Sequence, residues 1–199
     1  MNHTRLTIAA AGLLTLGVVA RLWPHWPNAT PLTALALVGS LYLGKRFGLG
    51  LPLLALFLSD LMIGFYDWRI MTSVYLSFAL IGILNWLGHR SRQPLILTLT
   101  LIGSSGLFFI ITNAAVWLFS SWYEKSWAGL WYAYELGLPF WRNMMLGDIL
   151  YAVALVGAIE AARYGLQRAS HSASWRTKSP ALLAGSAIIS STTRSNRID

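Results

Sequence analysis

Cysteine is absent from this chain of 199 residues, and acids are few: 7 Asp and Glu stand against 15 Lys and Arg. Without cysteine there is no disulfide framework and no thiolate chemistry, and the sequence carries no mark of a redox compartment. Charged residues of both signs make up only 11% of the chain, where a soluble globule carries about a quarter. The four histidines, His3, His25, His89 and His171, are scattered, and no HExxH occurs, so a zinc peptidase has no support. No GxSxG nucleophile elbow is present either. Gly39 to Arg46, GSLYLGKR, approaches the phosphate loop GxxxxGK[ST] but ends in Arg. It also belongs to an apolar run, without the strand that such a loop follows. No enzyme activity, metal or other cofactor is expected from these residues.

What the chain has in abundance is apolar surface. Hydrophobic residues reach 56% and the mean hydropathy is +0.56. Runs of about the length needed to cross hydrocarbon recur along it. The expected fold is all-α, an integral membrane bundle of six transmembrane helices. The spans run over Leu6–Leu22, Leu32–Leu43, Phe47–Phe65, Ser73–Gly88, Leu95–Phe119 and Asn143–Tyr164. A signal peptide competes for the first, since Val18-Val19-Ala20 is a passable cleavage site. Within that span Thr7, Ala11 and Thr15 set small residues four apart, a row that permits close helix packing. Pro52, inside the third span, is a candidate kink. Trp127, Trp131 and Tyr134 have helical spacing, which suggests a short amphipathic helix lying in the interface before the last span. From Gly165 the chain turns rich in Ser and Arg, and ALLAGSAII is too short to span. Residues 1–164 are thus expected to form the membrane domain, and 165–199 a disordered cytoplasmic tail.

The formal charge of +8 does not point to nucleic acid, because the basic residues sit in short loops and the tail. Such loops record orientation. One side of the six spans would hold eleven Lys and Arg, and the other only Arg21, Arg69, Lys125 and Arg142. Both termini are therefore expected in the cytoplasm, with the protein in the plasma (inner) membrane.

This orientation gives the polar residues a place. An ionisable side chain inside the bilayer is a functional candidate by default. Asp60 would lie roughly 7 Å below the outer end of its span and Asp148 roughly 9 Å below the start of the last. Asn113 falls near the outer end of the fifth span, so three helices offer polar groups at similar depth. The bland alternative is a pair of structural acids that cap or bridge helices. Eight of the ten tryptophans, Trp23, Trp26, Trp68, Trp117, Trp122, Trp127, Trp131 and Trp141, fall on the outer side. Aromatic belts occupy both interfaces. The bias therefore favours a ring-lined cavity over a lopsided belt. Asn28-Ala29-Thr30 is a glycosylation sequon only in a secretory organism. His25, between two prolines, is either a ligand contact or a polar loop residue.

The segments WPNATPLTALALVGSLYLGKRFGLGLPLLALFLSDLMIGF, TNAAVW and LPFWRNMMLGDILY resemble a family of uncharacterised prokaryotic membrane proteins assigned to transport. That family is in turn similar to the substrate-binding S components of energy-coupling factor vitamin transporters. The resemblance covers about Leu6 to Tyr164. It implies a six-helix fold with an outward-facing site under the loops after the first, third and fifth helices, here Trp23–Pro31, Phe65–Thr72 and Ser120–Trp141. It also implies docking to a transmembrane coupling subunit with ATPases. S components commonly carry alanines four apart on helix one for that docking, where this chain has Thr7, Ala11 and Thr15.

The expected function is capture of a small, vitamin-like molecule from outside for uptake, by a protein that meets the lipid bilayer and no nucleic acid. Asp60, Asn113 and Asp148 would be the buried polar contacts. Arg142, Asn143 and Asn28 would stand near the entrance, with Trp23, Trp26, Trp117, Trp127 and Trp131 as stacking faces. The rival is a non-transporting scaffold or assembly subunit that binds a protein or lipid through its aromatic face. A membrane enzyme using the two Asp as acid and base is weaker, for want of a nucleophile or metal set.

Overall fold

The computed structural model describes residues 3–24, 26–87 and 93–195, with side chains described to residue 168 except residues 87 and 166. Six helical segments follow one another: α1 (His3–Leu22), α2 (Leu32–Val38, prolonged by a π-helical turn Gly39–Leu43), α3 (Lys45–Ile63), α4 (Trp68–Leu87), α5 (Pro94–Phe119) and α6 (Trp127–Ser195). No strand occurs among the described residues. Met1–Leu155 forms one compact unit and Val156–Asp199 a second.

The shortest helix is the centre of the first unit. Every residue from Leu32 to Val38 is buried, as expected of a helix that is apolar all round and so has no face to give to solvent or lipid. Leu32 and Leu35 pack with Leu56 of α3, Phe78 and Ile81 of α4 and Met144 of α6. Ala34 and Leu37 pack on the opposite side with Leu101 of α5 and Ala152 of α6. At the far end of α2 the helix widens, with Gly44 N–H donating to the Gly39 carbonyl five residues back at 2.9 Å. Gly44 then takes φ 126°, open to glycine at little cost, and the chain reverses into α3. The two helices approach closely: a Cβ on Gly48 would sit 2.7 Å from Ser40 Cβ and 2.8 Å from the Ala36 carbonyl oxygen.

The helix ends use ordinary local chemistry. Asp67 caps α4, its Oδ1 accepting from Arg69 N–H at 2.9 Å. Ser126 caps α6, its Oγ accepting from Gly129 N–H at 3.1 Å. A side-chain acceptor of this kind serves a donor that the first helical turn leaves orphaned. Lys125 Nζ donates to the carbonyls of Trp117 and Ser120 at the end of α5, where a cation also suits the helix dipole.

Among the described residues five helices are long and apolar enough to cross a membrane: His3–Leu22, Lys45–Ile63, Trp68–Trp86, Pro94–Phe119 and Trp127–Gly165. Leu32–Leu43 is shorter, and its burial explains how it does without the length. Large apolar side chains such as Leu54, Leu84, Leu99 and Leu150 are exposed on the bundle. So much bare apolar surface suits lipid and not water. The chain is a membrane-type helical bundle, in line with its composition.

Two expectations need revision. The separate interfacial helix around Trp127 is instead the start of α6, which runs on through Pro139 without a break. Ser126 supplies the start signal, and proline removes only one donor from the ladder. The Thr7–Ala11–Thr15 row is exposed within the chain, and α1 packs instead through Gly17, whose Cβ would meet Leu35 Cδ1 at 2.5 Å and Ala55 Cβ at 3.1 Å. In the second unit helical backbone continues to Ser195. Arg163 pairs there with Glu160 at 3.5 Å.

Candidate functional site

Asp60 does not stand alone. It lies near the end of α3, 1% exposed, and its Oδ1 is 2.9 Å from Arg21 Nη1. Its Oδ2 accepts from the Tyr75 hydroxyl of α4 at 2.9 Å. The same Nη1 donates to Ser59 Oγ at 2.8 Å and to the Leu56 carbonyl at 3.3 Å. Three helices are thus tied at one level through the Asp60 carboxylate. Arg21 occupies the last turn of α1, where the helix dipole favours a cation.

Beside this knot is a cavity of about 240 Å³. Arg21, Asn28, Thr30 and Tyr66 supply its polar lining, and Val74, Phe78, Phe108 and Met144 much of its apolar wall. Phe78 and Phe108 pack against each other with ring centroids 5.2 Å apart. A second cavity of about 340 Å³ shares Asn28, Val74 and Phe108 with the first and extends to Thr112, Asn113, Trp122 and Tyr123. Asn28, which lines both, has φ 64°, a left-handed conformation that Asn tolerates better than most residues. A third, of about 540 Å³, lies by Trp26, Ala29, Gly147 and Tyr151.

Two loop groups near these cavities titrate away from their ordinary values. Burial, and then the negative charge of Asp60, push the Tyr66 hydroxyl up to about 12, so it remains a donor at any physiological pH. The hydrogen bonds from Arg69 hold the Asp67 carboxyl down to about 2. That shift favours the folded chain above the ordinary carboxylate range, an effect lost as pH falls toward 2.

The predicted site residues fall into three groups. Asn113 and Asn28 line cavity, the Asn113 Nδ2 also donating to the Phe109 carbonyl at 2.8 Å. Of the five predicted stacking faces only Trp26 lines a cavity, the third. Trp117 donates its Nε1–H to the Glu124 carbonyl at 2.9 Å, while Trp23, Trp127 and Trp131 are 70%, 86% and 74% exposed. That exposure suits an interfacial belt better than a stacking site. Arg142 is exposed and Asn143 half-buried, and neither lines the three cavities. His25 lies outside the described residues.

Asp148 differs from Asp60 in kind. It is 1% exposed, and neither carboxyl oxygen has a hydrogen-bond partner. Thr33 of α2 is the side chain that faces it, and Thr33 Oγ1 closes no hydrogen bond either. The three polar groups expected at one depth therefore serve different surroundings: Asp60 an ion pair, Asn113 a cavity wall, Asp148 a buried contact with Thr33 between α6 and α2. Sequence reasoning missed Arg21, Ser59, Tyr66 and Tyr75. A signal for Arg21 was present, since a lone cation closing one span can meet a lone acid near the same end of another.

Fold and cavities define an all-helical membrane-type protein with an arginine beside a chamber between its helix ends. The chain belongs to a family of unknown function, DUF6580, whose pattern matches residues 1–172. No curated protein and no solved structure matches it.

Proposed function

We propose that this protein captures a small molecule at the Arg21 end of its bundle, on the outer face of the plasma membrane, and serves its uptake. The carrying observation is the pair of adjoining cavities that share Asn28, Val74 and Phe108. They combine apolar walls with a few polar groups, the usual make-up of a small-molecule site. Their rims include residues of the α1–α2, α3–α4 and α5–α6 connections: Asn28, Tyr66 and Trp122. This is the arrangement expected of an S-component-like subunit. Energy would come from a coupling subunit with ATPases or from an ion gradient. The exposed Thr7–Ala11–Thr15 row of α1 supports the former, since small residues let a partner helix approach. No covalent chemistry is invoked.

The test is mass spectrometry of small molecules that co-purify with the detergent-solubilised protein, beside the variant Val74→Trp. Val74 lines both chambers, and the larger ring would fill them. One compound enriched with the wild type and lost in Val74→Trp is expected. Equal recovery in both would overturn the reading. A second reading, an assembly subunit, rests on the exposed rings Trp23, Trp68, Trp122, Trp127 and Trp131. It gains if a protein co-purifies stoichiometrically and no small molecule does.

A further inference from the structure

Resting on that reading, we infer that the molecule taken is a monoanionic carboxylate with an apolar body, and that Arg21 holds its carboxylate. Arg21 is the only charged side chain lining any of the three cavities. Its counter-ion, Asp60, lines none of them and is buried. The chamber wall therefore presents the guanidinium and no carboxylate.

The guanidinium is also half used, in a particular way. Every contact that it makes among the described residues runs through Nη1, to Asp60, Ser59 and the Leu56 carbonyl. Nη2 and Nε are left without an acceptor. These two N–H groups point the same way along one edge of the guanidinium plane, the edge that grips a carboxylate with two parallel hydrogen bonds. The other polar side chains of this chamber are the Tyr66 and Thr30 hydroxyls and the Asn28 amide, each able to donate. No carboxylate lines it to repel an anion.

Charge balance narrows the class. With Asp60 in place the Arg21 pair is neutral, so a bound monoanion leaves one net negative charge and a dianion two. A dianionic phosphate ester would leave twice the excess charge of a carboxylate, and the lining supplies no second cation to offset it. Next to the fork, Phe78, Phe108, Val74 and Leu56 suit a hydrocarbon or aromatic body.

The experiment uses the full chain in detergent and matched pairs of probes: benzoate, phenylacetate, indole-3-acetate and octanoate, each beside its primary amide. Tryptophan fluorescence and melting temperature report binding. At least one carboxylate is expected to bind, and its amide about 10- to 150-fold more weakly, the loss of a charged hydrogen bond. The double variant Arg21→Gln/Asp60→Asn keeps a neutral, hydrogen-bonded pair, so that folding is retained, and should abolish the difference between acid and amide. Amides or amines binding as tightly as the acids would overturn the assignment, as would failure of every carboxylate to bind, or an acid preference that survives in the double variant. A neutral or cationic compound that co-purifies and is lost in Val74→Trp would overturn it too, while leaving the capture reading intact. The two failures are thus distinct.

Discussion

Removing either half of the Arg21–Asp60 pair should destabilise the bundle, and by unequal amounts. Breaking a buried pair by deleting one partner costs about 3–5 kcal/mol, because the other charge is left uncompensated. The burial of the partners differs: the Arg21 side chain is 17% exposed and that of Asp60 is 2%. Arg21→Ala strands a carboxylate with only the Tyr75 hydroxyl for company, so its effect should lie at the upper end. Asp60→Ala leaves a cation that can swing toward the chamber, though it also orphans Tyr75, and should lie lower. For a chain of this size the range corresponds to a fall in Tm of about 6–20 °C. Arg21→Met/Asp60→Leu removes both charges and fills similar volume, so it should recover most of the loss. The assay is thermal melting in detergent for wild type, both single variants and the double, read as a double-mutant cycle. An Asp60→Ala effect larger than that of Arg21→Ala, or a double variant as unstable as the sum of the singles, would refute the reasoning.

Other outcomes follow from neighbouring features. Asp148→Leu should raise stability by about 1–3 kcal/mol, since it removes unpaired buried oxygens, and a lower Tm would show a partner that the geometry lacks. Gly48→Val should lower stability by about 1–3 kcal/mol through overpacking against Ser40 and the Ala36 carbonyl. Gly50→Ala, with nothing within 4 Å of its Cβ, should be neutral or gain up to about 1 kcal/mol from helix propensity. Reporter fusions after Arg92 and at Asp199 should be cytoplasmic and one at Lys125 external. Deletion of residues 170–199 should leave melting of the remainder unchanged, and a large drop would mean that the removed segment supports it.

Much of the fold was legible because lipid imposes strong rules on sequence. Apolar length, basic turns and the interruptions at Pro27, Gly44 and Gln93 marked the first five segments to within a few residues. Leu32–Leu43 looked merely short in the sequence, and only packing revealed it as the hub, since burial on every side leaves no polar stripe to read. The α6 start was misjudged for a different reason. Periodicity found the helix at Trp127, but Pro139 looked like a terminator, and whether a helix tolerates proline depends on what surrounds the freed carbonyl. The cavity was harder still. Its lining joins α1, α2, α3, α4, α5, α6 and two connections, and the relative rotation of helices leaves no trace in spacing along one chain. Tryptophan number pointed to the end of the bundle where Arg21 and these cavities lie, but most of those rings are exposed and do not line them.

The two acids show why a residue type in a membrane span does not by itself name a role. Asp60 and Asp148 have the same side chain, similar flanking apolar runs and similar depth, and from sequence they looked like one pair. Their surroundings separate them. Asp60 is satisfied on both oxygens, so its charge is spent on orientation: it fixes Nη1 of Arg21 and thereby turns the free edge of the guanidinium away from itself. Asp60 is 1% exposed and lines none of the three cavities, so in the proposed site the group that faces the chamber is its partner, Arg21. Asp148 has no such partner, and only Thr33 faces it. An acid that ties three helices together is explained by its contacts. One that faces only the Thr33 hydroxyl is not explained by an ion pair, which is why stability and uptake must be measured together in Asp148→Leu. A variant that melts higher and still takes up its substrate would make Asp148 dispensable. One that melts higher and fails to take it up would show that the unpaired carboxyl is kept for function at the expense of stability.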